Sequence, residues 1–425
     1  MEIKNLKKAA NRILKAINNG EKIILYGDTD LDGVASVIIL KETIKNLNGE
    51  ISELYFPDRE TEGYGISETG LTHLKTKLLK EAKVKRRAKP SSPNFSPALL
   101  VALDCGISNF KEMKMAKKLG FEVLIIDHHE VLDKLPEAKI IVDPKQKGDK
   151  YPFKELATTG IIFKLSELIL KKTTPLPPPS RLRRAPSMTE NLRKNFLELT
   201  ALATIADMMP REDENQIFIE EGLKLLENSW RPGVRAFFEI EEFNQYLNLN
   251  QKVSKMISLL NIRDVENNFP ASFRLLTSPG LEESKKIISR LIEKSEIRKQ
   301  KIEEITREIE ERISKGDYYP PATRQGKEKH IPPIIFEGDS GWDFTLISPV
   351  ASILCQRYQK PTFIYKILKD ESQGTVRVPA GIDSVALMKK CSKYPITYGG
   401  HPLASGFRIK NENLEKFKNC LIENL

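Results

Sequence analysis

The stretch KIILYGDTDLDGV, residues 22–34, decides how the rest of the chain is interpreted. Its first seven residues are mostly apolar, which is typical of a short buried strand. A turn follows, and an apolar helix is predicted to begin near Val34, so the stretch opens a βα unit. The alternation of strand and helix continues to about residue 142, which predicts a parallel sheet with helices on both faces. The further strands are predicted near residues 52–56, 98–103, 123–126 and 139–142.

The remainder divides into a helical region, one long helix and a second α/β region. Residues 191–278 have helical periodicity, and residues 281–315 place apolar residues at helical spacing among Glu/Lys pairs. Further on, stretches such as IPPIIFE, PTFIYKI and GTVRVPA predict strands again. We therefore expect an α/β fold with two lobes. The expected divisions are a parallel-sheet domain with a helical extension in 1–280, a linker helix in 281–316 and a smaller α/β domain in 317–425.

Three segments rich in proline, serine and basic residues interrupt this plan. We expect them to be surface loops, either solvated without a specific role or holding nucleic acid loosely by charge. They are residues 75–97, 171–186 and 316–333.

The composition excludes several classes of protein. The 425 residues are 40% hydrophobic and 30% charged, without an apolar run of the length that crosses a membrane. Lysines interrupt the apolar pattern of the first twenty residues, so a secretory signal is not predicted and a cytoplasmic location is expected. The net charge of +10 favours a polyanionic partner. The cysteines form no CxxC pair and are expected to be reduced thiols: Cys105, Cys355, Cys391 and Cys420.

Acidic and histidine residues follow the predicted strands at the point where each strand ends. Because the carboxyl ends of parallel strands form one crevice, these side chains are expected to converge. So many carboxylates repel one another unless a cation neutralises them, and one aspartate alone could equally be a helix cap. Carboxylates with imidazole suit Mn²⁺ well, Mg²⁺ tolerably and Zn²⁺ as an open alternative. The residues are Asp28, Asp30 and Asp32 after the first strand, then Asp104, Asp127, His128, His129 and Asp143.

This residue set predicts a particular chemistry. Enough ligands exist for two metal ions that share a bridging aspartate. Two ions about 3.5–4 Å apart activate water and stabilise both oxygens of an in-line phosphoryl displacement. Phosphodiester hydrolysis is the reaction that such a site serves.

Several motifs, in order, resemble those of the DHH phosphoesterase family, and within it the RecJ-like nucleases. GDTDLDGV, ALDCGIS, IDHHE and ALATIADMMP resemble its four N-terminal motifs, and GGHPLASGF is similar to the signature of the companion DHHA1 domain. PDRETEGYGI, LPEAKIIVDPK, YPFKELATTGIIFKL and GWDFTLISPVASIL are RecJ-like stretches between them. The resemblance covers nearly the whole chain.

The resemblance implies a set of metal ligands. One ion would be held by Asp30 and Asp104, with Asp28 within reach. The second ion would be held by Asp32, Asp104, His128 and Asp207, so that Asp104 bridges. Both ions are expected to be Mn²⁺ or Mg²⁺.

The resemblance also implies catalytic and substrate-binding residues. His128 and His129 would be catalytic together with Asp127, which would orient an imidazole. In the second domain, the glycines would let the backbone approach a ligand, and the charged groups would contact phosphate. These residues are Arg377, Gly399, Gly400 and His401.

The sequence departs from the RecJ-like pattern in three places. The stretch usually written NAAGR appears as SLLNIRDVENN, where Arg263 is the candidate replacement for the arginine. Gln216 stands where an arginine is expected after the fourth motif. The sequence ends about 20 residues after GGHPLASGF, so the OB-fold that follows in many bacterial RecJ-like proteins is not expected in it.

The expected function is 5′-to-3′ exonuclease activity on single-stranded nucleic acid, with DNA favoured over RNA, in repair or recombination. One alternative is a DHH phosphodiesterase or phosphatase for short oligoribonucleotides or dinucleotides. The other is an inert DHH scaffold, like the RecJ-like subunit of the eukaryotic replicative helicase. Such scaffolds lose metal ligands, whereas this chain keeps them. No membrane association is expected, and protein partners are left open.

Overall fold

The computed structural model describes residues 2–59, 61–88, 98–131, 134–173, 188–314 and 332–425. The chain divides into two compact units, Met1–Ile292 and Glu293–Leu425. Each unit contains its own five-stranded sheet.

The first unit is built on a parallel sheet with strand order β2-β1-β3-β4-β5. Side chains along the central strands alternate between two hydrophobic clusters, with Ile23 and Leu25 in one and Ile24 and Tyr26 in the other. The sheet is therefore packed on both faces, as the sequence predicts. The strands are β1 (Ile23–Gly27), β2 (Ile51–Tyr55), β3 (Ala98–Leu103), β4 (Phe121–Ile126) and β5 (Ile140–Val142).

Helices cover both faces of this sheet. Those on one face are α1 (Leu6–Asn18), α2 (Leu31–Asn46), α5 (Thr158–Thr173) and α6 (Met188–Ala206), and those on the other are α3 (Glu68–Ala88) and α4 (Phe110–Lys118). The helical extension continues with α7 (Asp213–Leu223), α8 (Pro232–Glu239), α9 (Leu249–Leu260) and α10 (Ala271–Leu276). It also contains a short hairpin of β6 (Val265–Glu266) and β7 (Phe269–Pro270).

One long helix, α11, spans Leu281–Ser314. Its first part buries Ile288 and Leu291 in the core of the first unit. Its later part buries Ile305 and Ile309 in a cluster of the second unit. The boundary between the units thus falls inside the predicted linker helix.

The second unit is a smaller α/β structure with strand order β11-β12-β10-β9-β8. Only β8 and β9 are parallel; the other neighbouring strands are antiparallel. The two-lobed α/β fold class is therefore confirmed. The elements are β8 (Ile335–Asp339), α12 (Phe344–Tyr358), β9 (Thr362–Ile367), β10 (Glu371–Arg377), α13 (Ser384–Lys390), β11 (Pro395–His401), β12 (Ala404–Lys410) and α14 (Leu414–Glu423).

Two expectations from the sequence are wrong. The segment from Lys75 to Ala88 is not a loop, because α3 continues through it; residues 89–97 lie outside the described part of the chain. Cys391 and Cys420 are not free thiols, because a disulfide joins them across 29 residues. The other two predicted loops are residues 171–186 and 316–333. Most of each lies outside the described part of the chain, which omits residues 174–187 and 315–331.

Among the described residues, no helix is both long and apolar enough to span a bilayer.

Candidate metal centre

The aspartates that follow the parallel strands lie along one edge of the sheet. The backbone amide of Asp28 donates to the carbonyl of Leu103 (3.2 Å), and that of Asp104 donates to Ile126 (3.0 Å). The amide of Asp127 donates to the carbonyl of Val142, the last residue of β5 (3.1 Å). Each aspartate thus extends the hydrogen-bond ladder by one residue, which aligns their side chains at the carboxyl ends of the strands.

The start of α2 brings in two more carboxylates. Asp30 is the N-cap of the helix and accepts from the amide of Gly33 (3.1 Å), so α2 begins at Leu31 rather than near Val34. Gly33 is required here, because a Cβ at this position would lie 2.5 Å from the carbonyl oxygen of Asp28. Asp32 lies in the first turn and is buried.

His128 is surrounded by three of these acids. Its Nε2 lies 3.3 Å from Asp207 Oδ2, 3.5 Å from Asp104 Oδ1 and 4.0 Å from Asp32 Oδ2. Three overlapping groups of side chains each offer ligand atoms within 4.8 Å of one another. They are Asp28, Asp30 and Asp104; Asp32, His128 and Asp207; and Asp104, His128 and His129. Every predicted metal ligand belongs to at least one group, and Asp104 belongs to two.

The buried polar atoms of the cluster fit a divalent cation. Both ring nitrogens of His128 and Oδ2 of Asp207 are buried without a hydrogen-bond partner in the described structure, which is costly unless an ion binds them. Asp207 also directly follows the last residue of α6, where the helix dipole disfavours a negative charge. These atoms have the chemistry of a manganese or magnesium site.

The shifted pKa values of the cluster also indicate a cation site. Burial, followed by repulsion from Asp32, raises the pKa of Asp104 well above its ordinary value. Burial and the same neighbour raise the pKa of Asp207 to about 7. The pKa of His128 is lowered by burial, so this imidazole is neutral and able to act as a ligand. Without a cation the cluster therefore retains protons that a metal would displace.

The second histidine of the IDHHE motif has a different environment. His129 Nδ1 lies 2.8 Å from Asp127 Oδ1, and the contact raises the pKa of His129 to about 9. Burial opposes ionisation of Asp127, but this contact and the amide of Ile107 lower its pKa. Asp127 thus fixes the imidazole, and the side chain of His129 remains 56% exposed.

Asp143 lies at the same edge but belongs to none of the three groups. Its carboxylate accepts from the amide of Lys145 (2.7 Å), and burial raises its pKa to about 7.

Two parts of the site are not predicted from the sequence. Arg59 donates through Nε and Nη2 to Asp28 (3.1 and 2.7 Å) and through Nη2 to Asp30 (2.9 Å). The amides of Thr158 and Thr159, which begin α5, donate to the two carboxylate oxygens of Asp32 (2.8 and 2.9 Å). The only sequence signal for these residues is that PDRETEGYGI and YPFKELATTG are RecJ-like stretches.

The four predicted substrate-binding residues lie together at one end of the second sheet. Arg377 and His401 both pair with Ala404 of β12, from opposite sides. GGHPLASG forms the β-hairpin of β11 and β12, and Gly400 has a φ of 135° within it. Arg377 donates to Ser348 Oγ (2.7 Å) and to Thr375 Oγ1 (3.0 Å).

The chain belongs to the DHH/DHHA1 family. Residues 22–204 match the DHH family, N-terminal domain, and residues 332–425 match the DHHA1 domain.

Within this family the chain is RecJ-like. It is 30% identical over 429 residues to the single-stranded-DNA-specific exonuclease RecJ of Bacillus subtilis (strain 168), covering 99% of this chain and 48% of the relative. It thus spans about half the length of that relative.

Two solved structures share the fold. Exonuclease RecJ bound to manganese has a TM-score of 0.70 and 22% identity, with 100% of this chain and 94% of that chain covered. RecJ in complex with Mn²⁺ from Thermus thermophilus has a TM-score of 0.71 and 21% identity, with 100% and 55% covered.

Proposed function

We propose that the chain is a metal-dependent phosphodiesterase, specifically an exonuclease that degrades single-stranded DNA from its 5′ end. The observation that carries the proposal is the buried cluster of carboxylates around His128, whose ring nitrogens have no hydrogen-bond partner in the described structure. The name of the Bacillus subtilis relative supports the choice of substrate. Repair or recombination is the process to which we assign this activity.

We propose two metal ions, with Mn²⁺ favoured over Mg²⁺. The Mn²⁺ bound to the two solved relatives supports this choice. One ion is assigned to Asp28, Asp30 and Asp104, and the other to Asp32, Asp104, His128 and Asp207. When bound, such ions lower the pKa of a water ligand and neutralise charge on the reacting phosphate.

The residues around the cluster have separate roles in this proposal. Thr158 and Thr159 hold the carboxylate of Asp32 in one orientation through their amides. Asp127 holds His129 through Nδ1, which leaves Nε2 to donate to a phosphate oxygen. Arg59 lies against the carboxylates, where its guanidinium can contact a phosphate of the bound strand.

The second unit is proposed to bind the strand through phosphate. In the described structure, the hydrogen-bond partners of Arg377 are the hydroxyls of Ser348 and Thr375 and the carbonyl of Val376, and none is a carboxylate. Burial lowers the pKa of Arg377, so a bound phosphate would stabilise a guanidinium charge that burial disfavours. His401 is exposed in the neighbouring hairpin.

The test is product analysis on single strands labelled at the 5′ or the 3′ end, from dinucleotides to a few tens of nucleotides, in DNA and RNA. We expect stepwise release of 5′-mononucleotides from the 5′ end of long DNA with Mn²⁺, and none with EDTA. Asp104→Asn is the control for a contaminating nuclease.

Two other results would overturn the proposal. Cleavage confined to the shortest oligonucleotides would establish the small-substrate phosphodiesterase instead. A folded protein that hydrolyses no oligonucleotide with Mn²⁺ would establish the inert scaffold.

A further inference from the structure

A disulfide joins the last two helices of the second unit. It links Cys391, the residue that directly follows α13, to Cys420 in α14, with the two Cα atoms 6.0 Å apart. The other two cysteines, Cys105 and Cys355, are buried free thiols. The carboxyl end of α13 is therefore held by a covalent bond.

The opposite end of α13 is bonded to the turn between β11 and β12. The amide of Ser384, the first residue of the helix, donates to the carbonyl of Pro402 (2.7 Å). The hydroxyl of Ser384 donates to the carbonyl of His401 (3.3 Å) and lies 2.6 Å from the hydroxyl of Ser405. Ser384 is fully buried. The helix thus fixes the turn that carries His401, one of the residues to which phosphate binding is assigned.

Apolar packing already holds α13 and α14 together. Leu387 of α13 is buried in the same hydrophobic cluster as Phe417 and Leu421 of α14. The ammonium of Lys390 also donates to the carbonyl of Asn424 (3.0 Å). The disulfide therefore adds a covalent constraint to a contact that exists without it. We expect the second unit to stay folded when the bond is reduced, with α13 less restrained.

The two sulfur atoms differ in their access to solvent. Cys391 is fully buried, whereas Cys420 is partly exposed. The side-chain amide of Asn424 donates to Sγ of Cys420 (3.7 Å), and such a donor stabilises a thiolate. A small thiol therefore reaches the bond from the side of Cys420.

We infer that this disulfide is a reversible redox site that positions the hairpin of β11 and β12 for substrate. When the bond is formed, α13 is held at both ends, through Cys391 and through Ser384. When the bond is reduced, the helix and the turn bonded to it move more freely, so fewer molecules hold His401 in the arrangement that binds phosphate. The apparent affinity falls with that fraction. The effect on substrate rests on the proposed function, whereas the effect on the hairpin does not.

The reductant is a small-molecule thiol of the glutathione class. Its thiolate attacks Sγ of Cys420; the S–S bond breaks, a mixed disulfide forms at Cys420, and Cys391 leaves as a thiolate that takes up a proton. A second thiolate attacks the outer sulfur of the mixed disulfide, which forms the small-molecule disulfide and releases Cys420 as a thiolate that is also protonated. Two electrons thus pass from two thiols to the protein, and the small-molecule disulfide reverses the sequence.

The first experiment needs no substrate. Hydrogen–deuterium exchange is measured on the full chain before and after reduction with a phosphine. Alkylation in denaturant verifies two free thiols before reduction and four after it. We expect the amides of β11 and β12 to exchange about threefold or more faster after reduction, and those of β9, at the other side of the same sheet, to be unchanged. Oxidised glutathione should restore the original rates.

The second experiment measures the affinity of the full chain for a labelled DNA single strand in EDTA by fluorescence anisotropy. We expect reduction to weaken binding by about threefold or more. The variant with both Cys391→Ser and Cys420→Ser should bind as the reduced chain does under either condition. His401→Ala should bind weakly and without a response to reduction, because it lacks the group that the disulfide positions. Cys355→Ser, which replaces a buried cysteine outside the disulfide, is the matched control and should keep the response.

The outcomes separate this inference from the proposed function. Hairpin exchange that reduction leaves unchanged overturns the redox site, and so do four reactive thiols before reduction. Faster exchange with unchanged strand affinity overturns the positioning of substrate while the proposed nuclease stands. A chain that binds and cuts no strand in either state overturns the nuclease, and hairpin exchange that responds to reduction then still supports the redox site.

Discussion

Asp104→Asn should inactivate the protein and, at the same time, stabilise its metal-free form. Asp104 belongs to both the Asp28/Asp30 group and the His128/His129 group, so the substitution removes a ligand shared between them. We expect turnover to fall at least about 1,000-fold, which corresponds to about 4 kcal/mol of transition-state stabilisation.

The stability effect follows from the charges around Asp104. The ligand atoms of Asp28, Asp30 and Asp104 lie within 4.8 Å of one another. At an effective dielectric constant of about 20, two unit charges at that separation repel by about 3.5 kcal/mol. The raised pKa of Asp104 means that protonation already relieves part of this repulsion. The free energy of unfolding of the metal-free variant should therefore rise by only about 1–3 kcal/mol.

The assay pairs turnover on labelled single-stranded DNA with thermal unfolding in EDTA and in Mn²⁺. Asp264→Asn is the matched control, since Asp264 is equally buried but pairs with Arg274 and Arg290. This control should lower stability and leave the Mn²⁺-induced increase in Tm intact. Two results together would refute the shared-ligand assignment. Asp104→Asn would keep more than about a tenth of the turnover, a loss of transition-state stabilisation below about 1.4 kcal/mol. Its Mn²⁺-induced increase in Tm would also be unchanged.

Three further results are expected. Arg231→Ala should lower the free energy of unfolding in urea by about 3–5 kcal/mol, because it leaves Glu42 and Glu198 without their cation. A decrease below about 1 kcal/mol would contradict the importance of these ion pairs. Since the pKa of Asp207 is raised to about 7, the folded chain holds more protons than the unfolded chain between about pH 4 and 7, so metal-free stability should fall as pH rises through that range. The Mn²⁺-induced increase in Tm should therefore be larger at about pH 8 than at about pH 5.5, and equal increases would count against protons and metal competing for one site. His401→Ala should raise KM for single strands and leave that increase in Tm unchanged, because the residue lies outside the first unit; loss of metal binding would show that the two roles are not separate.

The sequence predicts the cluster well because strand ends are easy to locate in a parallel sheet. Short apolar runs identify β1, β3 and β4, and the aspartate after each run must then lie at the same edge. Arg59 gives no comparable signal. It lies in a stretch without periodicity, and its contacts with Asp28 and Asp30 depend on the tertiary structure rather than on a local sequence pattern.

Other errors have equally specific causes. The charge of the basic segment from Lys75 to Ala88 favours a loop, yet lysine, leucine and alanine all favour helix, and the helix forms. The link between Cys391 and Cys420 depends on the tertiary approach of α13 and α14, which spacing alone does not encode.

The most direct test of the account is the position of manganese in crystals of the protein, measured by anomalous scattering at the manganese edge. We expect two peaks about 3.5–4 Å apart, with Asp104 contacting both. One peak should also contact Asp28 or Asp30, and the other should contact His128 and Asp207. A single peak away from His128, or no peak in crystals that hold manganese elsewhere, would contradict the proposed two-metal centre.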